Sequence, residues 1–315
     1  MMKKLCIIVV YILIIVNAFA EKIGVLSFNI NGSFTSNRSA NPKWCSQISS
    51  IISENSPDIV LLQEFPIKKE DKRLLEKILS DLGANNWSYF CTDKYFSGKH
   101  SNQNSIVFYN LNTILPCPEG DELINFSEEK PLYTFVKNNY QVIHFCLSTD
   151  QTKDFILINI HTPFDDKSDF VKYYADMKQL KEMYDYLKAS YKRVILAGDF
   201  NTNREDLLSK YFIDEYIDGK WGRYFFIAGN QTRGLLTTLK RKSEKRGISL
   251  ASDYDHFVIS GIEVSKEMKH SFYHGNDYGN DYYGRIKLGN KYYTSNQEIM
   301  KEISDHLPVF IELDF

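Results

Sequence analysis

The chain has 315 residues, 43% hydrophobic and 25% charged, with a formal net charge of −2. That composition excludes a disordered tail and a small disulfide-framed scaffold, and the length suits one large domain or two modest ones. Near-balanced charge also excludes a protein held to nucleic acid by bulk charge alone, while leaving room for a local basic rim.

Lys3 and Lys4 precede an apolar run of 12 residues, Leu5 to Val16, and Asn17-Ala18-Phe19-Ala20 supplies small residues at its exit. A spanning helix needs roughly 20 residues, so residues 1–20 read as a cleaved secretory peptide and residues 21–315 as the mature, exported chain. No later stretch is apolar and long enough for a stable membrane span. Without Lys3 and Lys4 the chain carries 36 basic against 40 acidic residues. Cys45, Cys91, Cys117 and Cys146 remain, an even number that permits two disulfides in any of three pairings or four buried thiols.

Lys22 to Asn29 reads as a buried strand ending in polar residues, followed by a Ser/Asn-rich loop. A helix from about Pro42 to Asn55 sets Trp44, Ile48, Ile51 and Ile52 on one face, and Asp58 to Glu64 is a second near-continuous apolar strand. Strand, helix, strand is a parallel crossover unit. Residues 71–82 form a surface helix, and Trp87 to Cys91, Ser105 to Tyr109, Tyr140 to Leu147 and Phe155 to Asn159 are β-prone.

A long helix from about Ser168 to Ala189 feeds the strand Arg193 to Ala197, a second crossover, and further strands follow at Asp255 to Ile259 and Val309 to Leu313. His270 to Tyr293, crowded with Gly, Asn, Asp and Tyr, reads as surface loops or short hairpins, with packing the expected task of Tyr282, Tyr283, Tyr292 and Tyr293. The pattern is one α/β domain.

Polar residues recur where apolar strands end: Asn29, Glu64, His161, Asp199 with Asn201, and Asp305-His306, with Asp255 opening its strand. A carboxylate or imidazole abutting a core needs a partner. Together these groups suit metal-assisted phosphoester hydrolysis, in which a hard dication on oxygens such as Glu64 and Asn29 neutralises the phosphate. A histidine backed by a carboxylate would take the water's proton. No GxSxG elbow and no His₃ zinc spacing occurs.

Those residues resemble the metal-dependent endonuclease/exonuclease/phosphatase superfamily with the deoxyribonuclease I fold. The resemblance is carried, in order, by Ser27-Phe-Asn29, Asp58-Ile-Val-Leu-Leu-Gln-Glu64, Ile160-His161-Thr162, Ala197-Gly-Asp199-Phe-Asn201, Tyr254-Asp255-His256-Phe257 and Ile303-Ser-Asp305-His306-Leu-Pro-Val309. It implies a four-layered α/β sandwich of two packed mixed β-sheets flanked by helices. It also implies Mg²⁺ or Mn²⁺ on Glu64, with Asn29 and Asp305 on the metal side. Asp199 and Asn201 would position water and phosphate, His161 and His306 would be the two histidines, and Asp255 would orient His306.

Phe28-Asn-Ile-Asn-Gly-Ser-Phe34 with Pro42-Lys-Trp44 is further similar to the nuclease subunit of cytolethal distending toxin. This makes an exported DNA endonuclease the leading expectation. The arginine that the toxin subunit carries before the strand Ser105 to Tyr109 has no counterpart here, Gln103 being nearest. A phospholipid or phosphoinositide phosphoesterase on the same fold is the alternative, and a scaffold without turnover is disfavoured by the complete polar set. Lys240, Arg241, Lys242 and Arg246, with Lys245 against Glu244, form a basic run suited to a DNA backbone or a phosphorylated headgroup. The chain is expected to act as a monomer; toxin-type partner subunits and an added structural Ca²⁺ are not readable from it.

Overall fold

The computed structural model describes residues 21–30, 41–66, 73–91, 103–117, 140–162, 170–201, 224–227, 238–239, 248–252, 255–264, 282–283, 286–304 and 306–315. The leader-like residues 1–20, Asp305 and the basic run with Lys240, Arg241, Lys242 and Arg246 lie outside them. Among the described residues no helix is long and apolar enough to cross a membrane.

The strands are β1 (Lys22–Asn29), β2 (Ile59–Pro66), β3 (Trp87–Cys91), β4 (Gln103–Asn110), β5 (Ile114–Pro116), β6 (Tyr140–Leu147), β7 (Asp154–His161), β8 (Val194–Asp199), β9 (Tyr224–Ile227), β10 (Thr238–Leu239), β11 (Ile248–Ser252), β12 (Asp255–Ser260), β13 (Glu263–Val264), β14 (Tyr282–Tyr283), β15 (Ile286–Leu288), β16 (Lys291–Tyr293) and β17 (Val309–Asp314). The helices are α1 (Pro42–Asn55), α2 (Arg73–Leu82), α3 (Phe170–Ser190) and α4 (Asn296–Glu302).

Two six-stranded sheets form, in the orders β13-β17-β1-β2-β4-β3 and β5-β6-β7-β8-β12-β9. Each holds one parallel pair, β1 with β2 across α1 and β7 with β8 across α3, among antiparallel neighbours. These are the two crossovers that the sequence pattern predicts. Ile23, Val25, Ile59, Leu61, Val309 and Ile311 of the first sheet pack on Ile143, Phe145, Leu157, Ile195, Phe257 and Ile259 of the second. On the outer face of the first sheet α1, α2 and α4 cover Leu26, Phe28, Val60 and Leu62, and α3 covers Ile156, Ile158 and Leu196 of the second. The result is the four-layered sandwich.

Local chemistry sets the elements. Asn41 caps α1 by accepting from Lys43 N at 3.0 Å, Pro42 stands in the first turn, and Ser56 ends the helix at φ 45°. The strip Trp44, Ile48, Ile51, Ile52 is buried on the sheet, as its spacing requires. The Gly/Tyr-rich segment does contain a hairpin, β15–β16. There Tyr293 is buried with its hydroxyl bonded to Gln47 and Glu302, while Tyr292 is exposed. None of the four cysteines is in a disulfide.

Candidate active site

Alternation along the strands produces the site. On β1 the inward residues run Ile23, Val25, Ser27, Asn29; on β7 they run Phe155, Leu157, Asn159, His161; on β8 they run Ile195, Ala197, Asp199. Each column is apolar inside the sandwich and polar at the end where both parallel pairs finish, the usual place for ligands in α/β sheets. Glu64 reaches the same place by breaking parity. Val60 and Leu62 share one core with Phe65, so one extra residue lies between Leu62 and Phe65, where the pairing with β4 shifts register. Glu64 there has φ 55°, a left-handed backbone that re-aims its side chain.

Asn29 is the hub. Its Nδ2 donates to Asp199 Oδ2 at 2.8 Å and to Glu64 Oε1 at 3.1 Å. His161 Nε2 lies 3.3 Å from Glu64 Oε1 and 3.8 Å from Asp199 Oδ2. On the other side His306 Nδ1 meets Asp255 Oδ2 at 2.9 Å, and its Nε2 faces Asp199 Oδ2 at 3.7 Å. Asn201, at φ 49°, donates its backbone N–H to Asp199 Oδ1 at 2.8 Å and its side-chain amide to Thr162 O. Gly198 makes this turn feasible, since at φ 141° a Cβ would lie 2.0 Å from Ile160 O.

All seven described residues expected at a site, Asn29, Glu64, His161, Asp199, Asn201, Asp255 and His306, therefore converge. Asp305, next to His306 in the chain, lies outside the described residues. Two contributors carry no assigned role in the sequence pattern. Ser304 Oγ donates to Asn29 O at 2.7 Å and accepts from His306 N at 3.1 Å, tying the first strand to the loop before β17. Thr162 N–H donates to Asp199 O at 2.9 Å. A short hydroxyl beside a loop histidine is a turn-forming signal that points to Ser304. For Thr162 the only signal is its place after His161.

Among the described residues the cluster gathers three carboxylates, Glu64, Asp199 and Asp255, around two imidazoles, His161 and His306. Burial pushes the Asp199 carboxyl up to about 6; His306 pulls against that, Asp255 adds to it, and His161 and the Asn29 amide pull back. Asp199, Asp255 and His306 also offer ligand atoms within 4.8 Å of one another. Carboxylates, a carboxamide and imidazoles without a thiolate make a donor set that fits a hard dication.

The endonuclease/exonuclease/phosphatase family pattern matches residues 26–306. The chain belongs to that family. Family members are phosphoester hydrolases, and solved structures share the fold. The mannosyl-6-phosphatase of Bacteroides thetaiotaomicron is 18% identical at a TM-score of 0.56, over 93% of this chain and 100% of that one. Truncated TDP2 of Caenorhabditis elegans is 15% identical at 0.54, over 93% and 98%. ANGEL2, a 2′,3′-cyclic phosphatase solved with adenosine-2′,3′-vanadate, is 12% identical at 0.55, over 93% and 96%. No curated protein matches the sequence.

Proposed function

We propose that the mature chain is an exported, divalent-metal-dependent phosphodiesterase that cuts DNA. The observation that carries the chemistry is the buried Asp255–His306 pair aimed at Asp199, beside Glu64, Asn29 and His161. With Nδ1–H donated to Asp255, Nε2 is the basic nitrogen, and a water bonded to it and to Asp199 would lose its proton there. Asp255 then stabilises the imidazolium. His161, on the opposite side, serves the phosphate or the departing oxygen. Asn29 and Asn201 keep the Asp199 carboxylate oriented.

Mg²⁺ or Mn²⁺ would be held by Glu64 with Asn29, and Asp305 belongs to the same side by resemblance. When bound, the ion neutralises the phosphate and polarises it toward attack. Asp199, Asp255 and His306 are kept for proton transfer, because the hydrogen bond between the last two already engages them.

DNA as substrate rests on the toxin-like residues around Asn29 and Trp44 and on the basic run at Lys240, Arg241, Lys242 and Arg246, which suits a phosphate backbone. Export rests on residues 1–20, and N-terminal sequencing of the released protein should start near Glu21. The deciding experiment incubates residues 21–315 with supercoiled plasmid and Mg²⁺, with an EDTA control and a phosphoinositide panel alongside. Nicked and linear DNA is expected. Intact plasmid with phosphate released from the lipids would replace the nuclease reading by the lipid one.

A further inference from the structure

One step below the site, the layer between the sheets is polar before it becomes apolar. Ser27, Gln63 and Asn159 are fully buried there. Gln63 Nε2 donates to Asn159 Oδ1 at 2.8 Å and to Ser27 Oγ at 3.2 Å, and Asn159 Nδ2 donates to Ile106 O at 3.4 Å. The Gln63–Asn159 bond crosses from the first sheet to the second. Each member adjoins a site residue in its own strand: Ser27 stands two before Asn29, Asn159 two before His161, and Gln63 immediately before Glu64.

Stability does not explain this layer. Among the described residues Gln63 Oε1, and the Oε1 of Gln141 directly across the ladder from Asn159, are buried without a hydrogen-bond partner. Apolar side chains of the same size would avoid that desolvation cost. Position explains it better. The pairing of β2 with β4 skips both Gln63 and Glu64, so the bulge that carries Glu64 lacks that half of its ladder. Its backbone is held from the β1 side, where Ile30 N donates to Gln63 O at 3.1 Å, and its second tether is the Gln63 side chain.

We propose that Gln63 and Asn159 are a positioning pair, whose hydrogen bond across the two sheets fixes the separation of Glu64 from His161. This rests on the phosphodiesterase reading, because the separation so fixed is the one between the metal-holding and phosphate-facing sides. Catalytic constellations lose function on displacements of about 0.5 Å, and a bulged carboxylate needs such support.

The test uses Gln63→Met and Asn159→Leu, which roughly conserve volume, their double variant, and Thr113→Val as control. Thr113 Oγ1 donates to Asp58 Oδ1 at 2.7 Å near the opposite end of β2, so its loss reports stability alone. Each single variant should raise the Mg²⁺ concentration for half-maximal plasmid cleavage, and lower kcat, by about tenfold, with KM for DNA little changed. The double variant should be no worse than the more impaired single one. Thr113→Val should lower Tm and leave the Mg²⁺ requirement where it was. Variants of Gln63 and Asn159 with wild-type Mg²⁺ dependence, or losses that merely follow Tm as in Thr113→Val, would overturn the pair while the phosphodiesterase reading stands. A wild-type chain with no metal-dependent hydrolysis would sink both.

Discussion

Two histidine–carboxylate pairs occupy opposite ends of the second sheet, and both close at 2.9 Å. His306 joins Asp255 through Nδ1, and its Nε2 faces Asp199. His144 joins Asp154 through Nε2, the nitrogen that in the first pair points at the site. Asp255 is fully buried, whereas the Asp154 side chain is 36% exposed and has the Arg193 guanidinium at 3.9 Å. Tyr191 meets the His144 ring edge-on. The first pair therefore turns its second ring nitrogen toward the buried Asp199 carboxylate, and the second closes on a partly exposed carboxylate at a sheet end. Residue type does not separate them; which nitrogen is tied, and what the other one faces, does.

The largest effects should break along that line. Loss of a positioned general base costs 10² to 10⁴ in rate, so His306→Ala should lose that much kcat on plasmid while still binding Mg²⁺. His144→Ala should stay within about twofold, since it removes only a partly exposed side-chain contact at the far end of the sheet. Asp255→Asn should be seriously impaired and Asp154→Asn should not. If His306→Ala kept more than about a tenth of wild-type kcat, the base would have to be found elsewhere.

Next comes Glu64. Glu64→Gln keeps the side chain's size and removes the charge that would hold the metal, so cleavage at limiting Mg²⁺ should disappear and return in part at high Mg²⁺. Turnover undiminished at limiting metal would remove Glu64 from the metal side.

Smaller is the linkage at Asp199. Because burial raises its pKa to about 6, this carboxyl contributes stability that is present below the usual carboxylate range and lost as pH rises through 6. A bound cation favours the ionised form, so Mg²⁺ should raise Tm more at pH 7 than at pH 5. Equal gains at both pH values would show that the ion does not sense this carboxylate.

How much of this was legible depended on whether a residue's environment is local. Lys22–Asn29, Pro42–Asn55 and Tyr140–Leu147 end where periodicity and caps say they should, because apolar runs and Pro or Asn signals act within a few residues. The capping sequence Ser295 to Glu298 also marks α4, with Ser295 accepting from Glu298 N at 3.3 Å, but its polar neighbours leave it inconspicuous in the sequence. Strands β5, β9 and β13 are two to four residues long, too short for alternation to register. That these residues would gather was readable because they stand at the polar ends of apolar strands, Asn29, His161 and Asp199 closing theirs and Asp255 opening its own. That Asn29 would bridge Asp199 and Glu64, or that Gln63 would reach Asn159 in the other sheet, depends on contacts 35 to 170 positions apart, which no local pattern encodes.

The smallest expected effect on activity lies beside the second pair. Cys117 N donates to His144 O at 3.0 Å, and the Cys117 and Cys146 side chains are in hydrogen-bond contact within the buried layer. Burial pushes the Cys146 thiol up to about 11, with Cys117 and Asp154 adding to the push. Since the thiolate is the reacting form, Cys146 is held almost wholly in its unreactive thiol form at neutral pH. Native Cys146 should therefore resist alkylation and react once denaturant opens the sheet. Slow exchange with an oxidised small-molecule disulfide should join the two sulfurs and close a loop of about 30 residues, a constraint worth roughly 3 to 4 kcal/mol against unfolding. Because the Cys146 end of β6 pairs with Asp154, at the start of the strand whose last residue is His161, the bridged protein should melt higher and cut plasmid at an unchanged kcat. Rapid alkylation of native Cys146 would contradict its buried thiol. A bridge that altered kcat severalfold would show that the two ends of the sheet, so different in their histidine pairs, are mechanically one.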